Sequence, residues 1–135
     1  MTAIRGIHHL GLTVTNVERS ARWYHDVLGF HEVGRLGGSA DLCRKIYLRH
    51  DGFGVRLGLV AHRGAGWFRF DETMPGLDHL SFAVADRAEL ERWCRRLFQR
   101  GIACSPIQAA RSVPGAVVVG FRDPDDIKLQ LFAHA

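Results

Sequence analysis

Residues 7–30 read IHHLGLTVTNVERSARWYHDVLGF, and residues 77–102 read LDHLSFAVADRAELERWCRRLFQRGI. Laid one over the other with His9 on His79, they pair Leu10 with Leu80, Val14 with Val84, Asn16 with Asp86 and Trp23 with Trp93. An insertion of two residues near the end of the second segment brings Gly29 onto Gly101. The same shift carries Asp51 to Asp123, and Val55-Arg56-Leu57-Gly58-Leu59 to Ile127-Lys128-Leu129-Gln130-Leu131. One register change spans both halves, so the chain reads as two copies of one unit.

Each copy opens with a strand, roughly residues 7–14 and 77–84, whose apolar residues alternate with period two. Asn16 and Asp86 supply side-chain oxygens for a helix amino terminus. Glu89, three residues after Asp86, completes a pattern similar to a capping box. Val17, Ala21, Tyr24 and Leu28 recur at helical spacing, as do Leu90, Trp93 and Leu97. Gly29 and Gly101 stand where a helix commonly ends in a left-handed residue. Three shorter strands follow, with turn signals at Gly37-Gly38, Asp51-Gly52, Pro114-Gly115 and Asp123-Pro124. Residues 1–135 are expected to form a single α+β domain: module one at about 4–61, a linker at about 62–76, module two at about 77–135.

Successive side chains of a strand point to opposite faces. Leu10, Leu12 and Val14 would pack on the helix, leaving His9, Gly11 and Thr13 on the other face. The second copy repeats this, with Leu80, Phe82 and Val84 opposed to His79, Ser81 and Ala83. In the last strands Lys128, Gln130 and Phe132, and their counterparts Arg56, Gly58 and Val60, share that open face. His9, Gly58, His79 and Gln130 thus occupy four equivalent positions around one expected cleft. His8 is expected to point away from it. His25, His31, His50, His62 and His134 carry no such pattern, and a structural or solvated role is expected for each.

The composition excludes several classes. Apolar residues make up 47% and charged residues 24%, as in ordinary globular chains. No apolar run approaches the ~20 residues that a membrane-spanning helix needs. The start, MTAIRGIHHLGL, lacks the layout of a signal peptide, so a cytoplasmic location is expected. Cys43, Cys94 and Cys104 are odd in number and lack CxxC spacing, which argues against a disulfide framework or structural zinc. Cys94 reads as a small buried thiol. The net charge of +4 is mostly arginine spread along the chain, without the basic stripe that nucleic-acid binding wants. A small-molecule partner is expected, with no nucleic acid and no membrane.

The stretches HHLGLTVTNVERSARWYHDVLGF, GLDHLSFAVAD and FRDPDDIKLQLF together resemble the vicinal oxygen chelate superfamily: glyoxalases, bleomycin-resistance proteins and extradiol dioxygenases. The resemblance covers nearly the whole chain. It implies two βαβββ modules forming a cup-shaped, partly open mixed sheet with helices outside, and commonly a homodimer. It also implies a divalent metal that chelates two neighbouring substrate oxygens, with His9, His79 and Gln130 at the ligand positions. Glyoxalase-type members add a fourth ligand, and that position here is Gly58, which has no side chain. Extradiol dioxygenases hold iron(II) on two His and one carboxylate. This chain has a neutral Gln130 where the carboxylate stands, which weakens metal binding and leaves a bound metal more electrophilic.

The resemblance therefore implies a metal-dependent enzyme on a small oxygenated or aromatic metabolite, nearest the dioxygenase pattern, with Fe(II) or alternatively Mn, Ni or Zn. Thr13, Arg56, Gly58, Ser81, Lys128 and Phe132 would line its substrate pocket. No general base is identified, because Gln130 cannot take a proton. The alternative is a metal-free protein that sequesters a drug or metabolite, as bleomycin-resistance members do. The segment Trp67-Phe68-Arg69-Phe70 either covers an aromatic ligand or packs in the core. Whether the cleft forms within one chain or across two is open at this level, as is a domain with a decayed site.

Overall fold

The alternation at the start of the first copy becomes strand β1 (His9–Thr13) in the computed structural model, which describes residues 2–37, 43–64 and 68–134. Leu12 and the following Val14 are buried, whereas His9, Gly11 and Thr13 are exposed, as alternation requires. Helix α1 (Val17–Leu28) begins where the Asn16 side chain accepts the Arg19 backbone N–H at 2.9 Å. It ends at Gly29, whose φ of 83° is a left-handed conformation open to glycine at little cost. Strands β2 (His31–Leu36), β3 (Cys43–His50) and β4 (Phe53–His62) complete this unit. They form a four-stranded mixed sheet in the order β1-β4-β3-β2, with β1 parallel to β4 and the other pairs antiparallel.

The second unit repeats the layout. Strand β5 (Leu80–Val84) leads to helix α2 (Arg87–Gln99), and Asp86 accepts the Glu89 N–H at 2.8 Å. The Glu89 carboxylate pairs with Arg92, so only the first half of the expected capping box forms. Gly101, at φ 69°, closes the helix end, and the Ile102 N–H reaches back to the Leu97 carbonyl. Strands β6 (Gln108–Ala109), β7 (Val117–Arg122) and β8 (Lys128–Ala133) give the order β5-β8-β7-β6, again with the first pair parallel. The chain divides into two compact units, Met1–Phe68 and Arg69–Ala135. Each is one βαβββ module, so the α+β fold of two such modules is the observed one.

Each module has its own core. In the first, Tyr24 and Phe30 pack edge to face at 5.9 Å and are buried, together with Ile46, Leu48, Leu57 and Leu59. In the second, Leu90 and Leu97 of α2 are fully buried, as are Val119, Leu129 and Leu131. Each such side chain contributes about 1.5–3 kcal/mol by leaving water. The buried stripe of α1 is Val17, Ser20, Tyr24, Val27 and Leu28, so Ala21 stands beside it rather than in it. Trp93 is half-buried, with the Arg96 guanidinium over its ring.

Two histidines hold the first module together, as expected for positions outside the cleft pattern. His25 Nδ1 meets the Phe30 carbonyl at 2.7 Å. His50 Nδ1 accepts the Gly52 N–H, so its Nε2 carries the proton and donates to the Leu28 carbonyl. Gly38 and Trp67, both singled out in the sequence, lie outside the described residues. Phe68 is 76% exposed, which removes core packing as its role. Among the described residues, no helix is long and apolar enough to cross a membrane.

Candidate functional site on the open faces of the two sheets

In module two, β5 and β8 run parallel with Ser81 beside Gln130 and Ala83 beside Phe132. Leu129, Leu131 and Ala133 are buried, while Lys128, Gln130 and Phe132 are half-buried on the opposite face. The turn before β8 sets this phase. The Asp123 side chain is buried and accepts the N–H groups of Asp125 and Ile127 at 2.8 and 2.9 Å, so β8 leaves the turn with Ile127 facing inward. A hollow of about 420 Å³ opens on this face, lined by Ser105, Gln108, Val118, Gly120, Lys128 and Gln130 among others. Ser105 holds its wall in place: its N–H donates to the Gly120 carbonyl and its hydroxyl accepts the Gly120 N–H, both at 2.8 Å. Phe132 turns its ring edge to His134 at 5.2 Å.

His79 lies one residue before β5, with its Nδ1 2.7 Å from the Asp78 carboxylate. That hydrogen bond holds the Asp78 carboxyl below its ordinary value, and nearby Lys128 adds to the effect. An ionised carboxylate can only accept, so His79 Nδ1 carries a proton, and in the neutral ring Nε2 then holds the free lone pair. This is the outer-shell arrangement that orients metal-binding histidines. The Gln130 side chain makes no hydrogen bond within the described residues, leaving its amide oxygen available as a neutral ligand. In chemical terms these module-two donors fit a borderline or hard divalent cation, though without a carboxylate.

The cations of this face have acidic partners. Arg122 grips Glu72 through two hydrogen bonds of 2.7 and 2.9 Å and also donates to the Asp126 carbonyl. The Arg122 bonds hold Glu72 down to about 2. Lys128 stands 3.8 Å from Asp78.

In module one, the ladder places His9 beside Arg56, Gly11 beside Gly58 and Thr13 beside Val60. His9, Thr13 and Arg56 are exposed, and Arg56 has no acidic partner among the described residues. Gly58 is different. It is buried because Tyr47, directly opposite on β3, lays its ring 3.7 Å from where a Cβ would stand. An aromatic ring thus covers the position that the repeat equates with Gln130. Lys45, two residues from Tyr47 and paired with Val60, shares the face.

His8 departs from expectation: its Nδ1 lies 2.9 Å from that of His9, and the two rings meet edge to face. Strand alternation does not govern His8, because β1 starts only at His9. Asp78, Tyr47, Glu72 and Ser105 were missed by sequence reasoning. For Asp78 the signal was adjacency to His79, whereas Tyr47 required the β3–β4 register.

Residues 6–131 match the model of the glyoxalase/bleomycin resistance protein/dioxygenase superfamily. The chain belongs to this superfamily. A curated relative, catechol-2,3-dioxygenase of Bacillus subtilis (strain 168), is 29% identical over 136 residues, which cover 98% of this chain and 44% of that protein. The chain therefore spans less than half the length of that relative. A glyoxylase/bleomycin resistance protein/dioxygenase domain from Frankia sp. EAN1pec is 35% identical, with a TM-score of 0.85 over 98% of this chain and 94% of that one. The fosfomycin resistance protein FosX of Listeria monocytogenes, solved with Mn(II) and sulfate ion, shares the superfamily fold at 16% identity. Its TM-score is 0.74, over 98% of this chain and 95% of that one.

Proposed function

We propose that the chain is a metal-dependent enzyme of the glyoxalase/dioxygenase type, acting on a small oxygenated or aromatic metabolite. His9, His79 and Gln130 would supply the protein ligands of a divalent metal, in the two-histidine pattern nearest the extradiol dioxygenases. The observation that carries this reading is the Asp78–His79 hydrogen bond, which puts the proton on Nδ1 and leaves Nε2 of the neutral ring as a donor, in the module where Gln130 offers an unbonded side-chain amide. Iron(II), or alternatively manganese, nickel or zinc, would when bound act as a Lewis acid and a template for neighbouring oxygens.

The chain's own residues do the remainder. Asp78 fixes the His79 tautomer. Arg56, without an acidic partner among the described residues, is available to an anionic group of the substrate. Thr13 and Ser81 offer hydroxyls from the two open faces, and Phe132 offers an apolar flank. The location is proposed as cytoplasmic and the assembly as a homodimer.

A specific observation favours a second reading, the metal-free sequestering protein. Tyr47 covers Gly58, the position at which glyoxalase-type members add a fourth ligand. Calorimetric titration of stripped protein with manganese, nickel, zinc and, anaerobically, iron(II) separates the two. The enzyme reading expects stoichiometric binding that His79→Ala abolishes without unfolding the protein, and that Gln130→Glu tightens about tenfold or more by restoring a charged oxygen. Absence of binding by every metal would transfer the site to the sequestering reading, and unchanged affinity in His79→Ala would remove it.

A further inference from the structure

A second chemistry lies on the opposite side of the module-two sheet from Gln130. Cys94 sits on α2 between Leu90 and Leu97, both fully buried, and at helical spacing it shares their face toward β7 and β8. Cys104 forms an isolated antiparallel bridge with Phe121 of β7. Residues directly opposite in such a bridge send their side chains to the same face. Phe121 is 3% exposed, so the Cys104 side chain is directed toward α2 as well. Both cysteines are free thiols and half-buried, and the Cys94 thiol is within hydrogen-bonding reach of Cys104.

We propose that Cys94 and Cys104 form a reversible disulfide, a redox modification site independent of any metal on the open face. Burial, with Cys104 adding to it, pushes the Cys94 thiol up, which disfavours Cys94 as the first nucleophile and leaves the opening step to Cys104. With hydrogen peroxide as oxidant, the Cys104 thiolate attacks one peroxide oxygen and the O–O bond breaks. The departing hydroxide takes a proton and leaves as water, and the sulfur becomes a sulfenic acid. Cys94 then attacks that sulfur as its proton leaves. The S–S bond forms, the S–O bond breaks, and a second water departs. Two thiols and one peroxide thus give one disulfide and two waters, and a small dithiol reverses the change. The bond would tie the segment before β6 to α2, one residue from the Ser105 hydrogen bonds that hold Gly120 beside Gln130.

The test treats the whole protein with a slight excess of hydrogen peroxide, blocks remaining thiols with N-ethylmaleimide, and maps tryptic peptides without reduction. The expected product joins residues 93–95 to residues 101–111, is lighter by two hydrogens, and separates with dithiothreitol. In Cys94→Ala, Cys104 should halt as a sulfenic acid that dimedone traps. The proposal is overturned if wild-type Cys104 proceeds to sulfinic acid while Cys94 is alkylated. Links to Cys43 in place of the expected one, or two unoxidised thiols, overturn it equally. The wild-type map stands by itself should this variant fail to fold.

Discussion

Ser20 turns its hydroxyl into the core beneath α1, fully buried and without a hydrogen-bond partner among the described residues. A buried, unmade hydrogen bond costs about 1–3 kcal/mol, so Ser20→Ala is expected to stabilise the protein by roughly 1 kcal/mol. Chemical denaturation of the variant checks this, and a loss of stability would mean that the hydroxyl has a partner. At this scale much of the candidate site was legible. Strand alternation alone puts His9, Thr13 and Ser81 on the exposed side, and one repeat register brings Gly58 and Gln130 into equivalence. Tyr47 was not legible, because its place over Gly58 depends on which residue of β3 lies opposite β4. Nor was the contact between His8 and His9, since alternation stops where the strand stops.

The elements follow local chemistry closely. Asn16 and Asp86 start the helices, and Gly29 and Gly101 end them, because each fills a need created by unpaired backbone groups. The tie between Glu72 and Arg122 is of another kind: fifty residues separate the partners, and no local pattern announces it. Its pH dependence has a definite sign. Glu72 is held at about 2, below its ordinary 4.5, so the stabilisation is present above the ordinary value and fades as pH falls from 4.5 toward 2. Glu72→Gln should therefore lower the melting temperature near neutrality and make little difference in strong acid. Melting curves across that range test it, and a gap that persists at the acid end would assign the effect to packing. Because both side chains are substantially exposed, added salt should shrink the gap as well.

Across the whole molecule, the two units share one plan, and in each the strand flanked by a parallel and an antiparallel neighbour lies inside the sheet. Those strands are β4 and β8. Their amides are expected to exchange with solvent more slowly than those of β2 and β6, each of which ends its sheet's strand order. Hydrogen-exchange mass spectrometry reads this directly, and equal rates would mean that the modules open as wholes. The division into two modules was legible because duplication leaves the same apolar spacing twice. The ladder partners were not, since pairing register depends on contacts far apart in sequence.

The chain has just two lysines, Lys45 and Lys128, and each stands on the open face of its sheet. All its other basic side chains apart from histidine are arginines, which common amine-coupling reagents do not modify. Tethering this protein to a sensor chip through its lysines would therefore anchor it by the faces that carry His9, Ser81 and Gln130. A blank sensorgram from such a chip would report blocked access, so capture through a terminal tag is the sounder format for ligand screens.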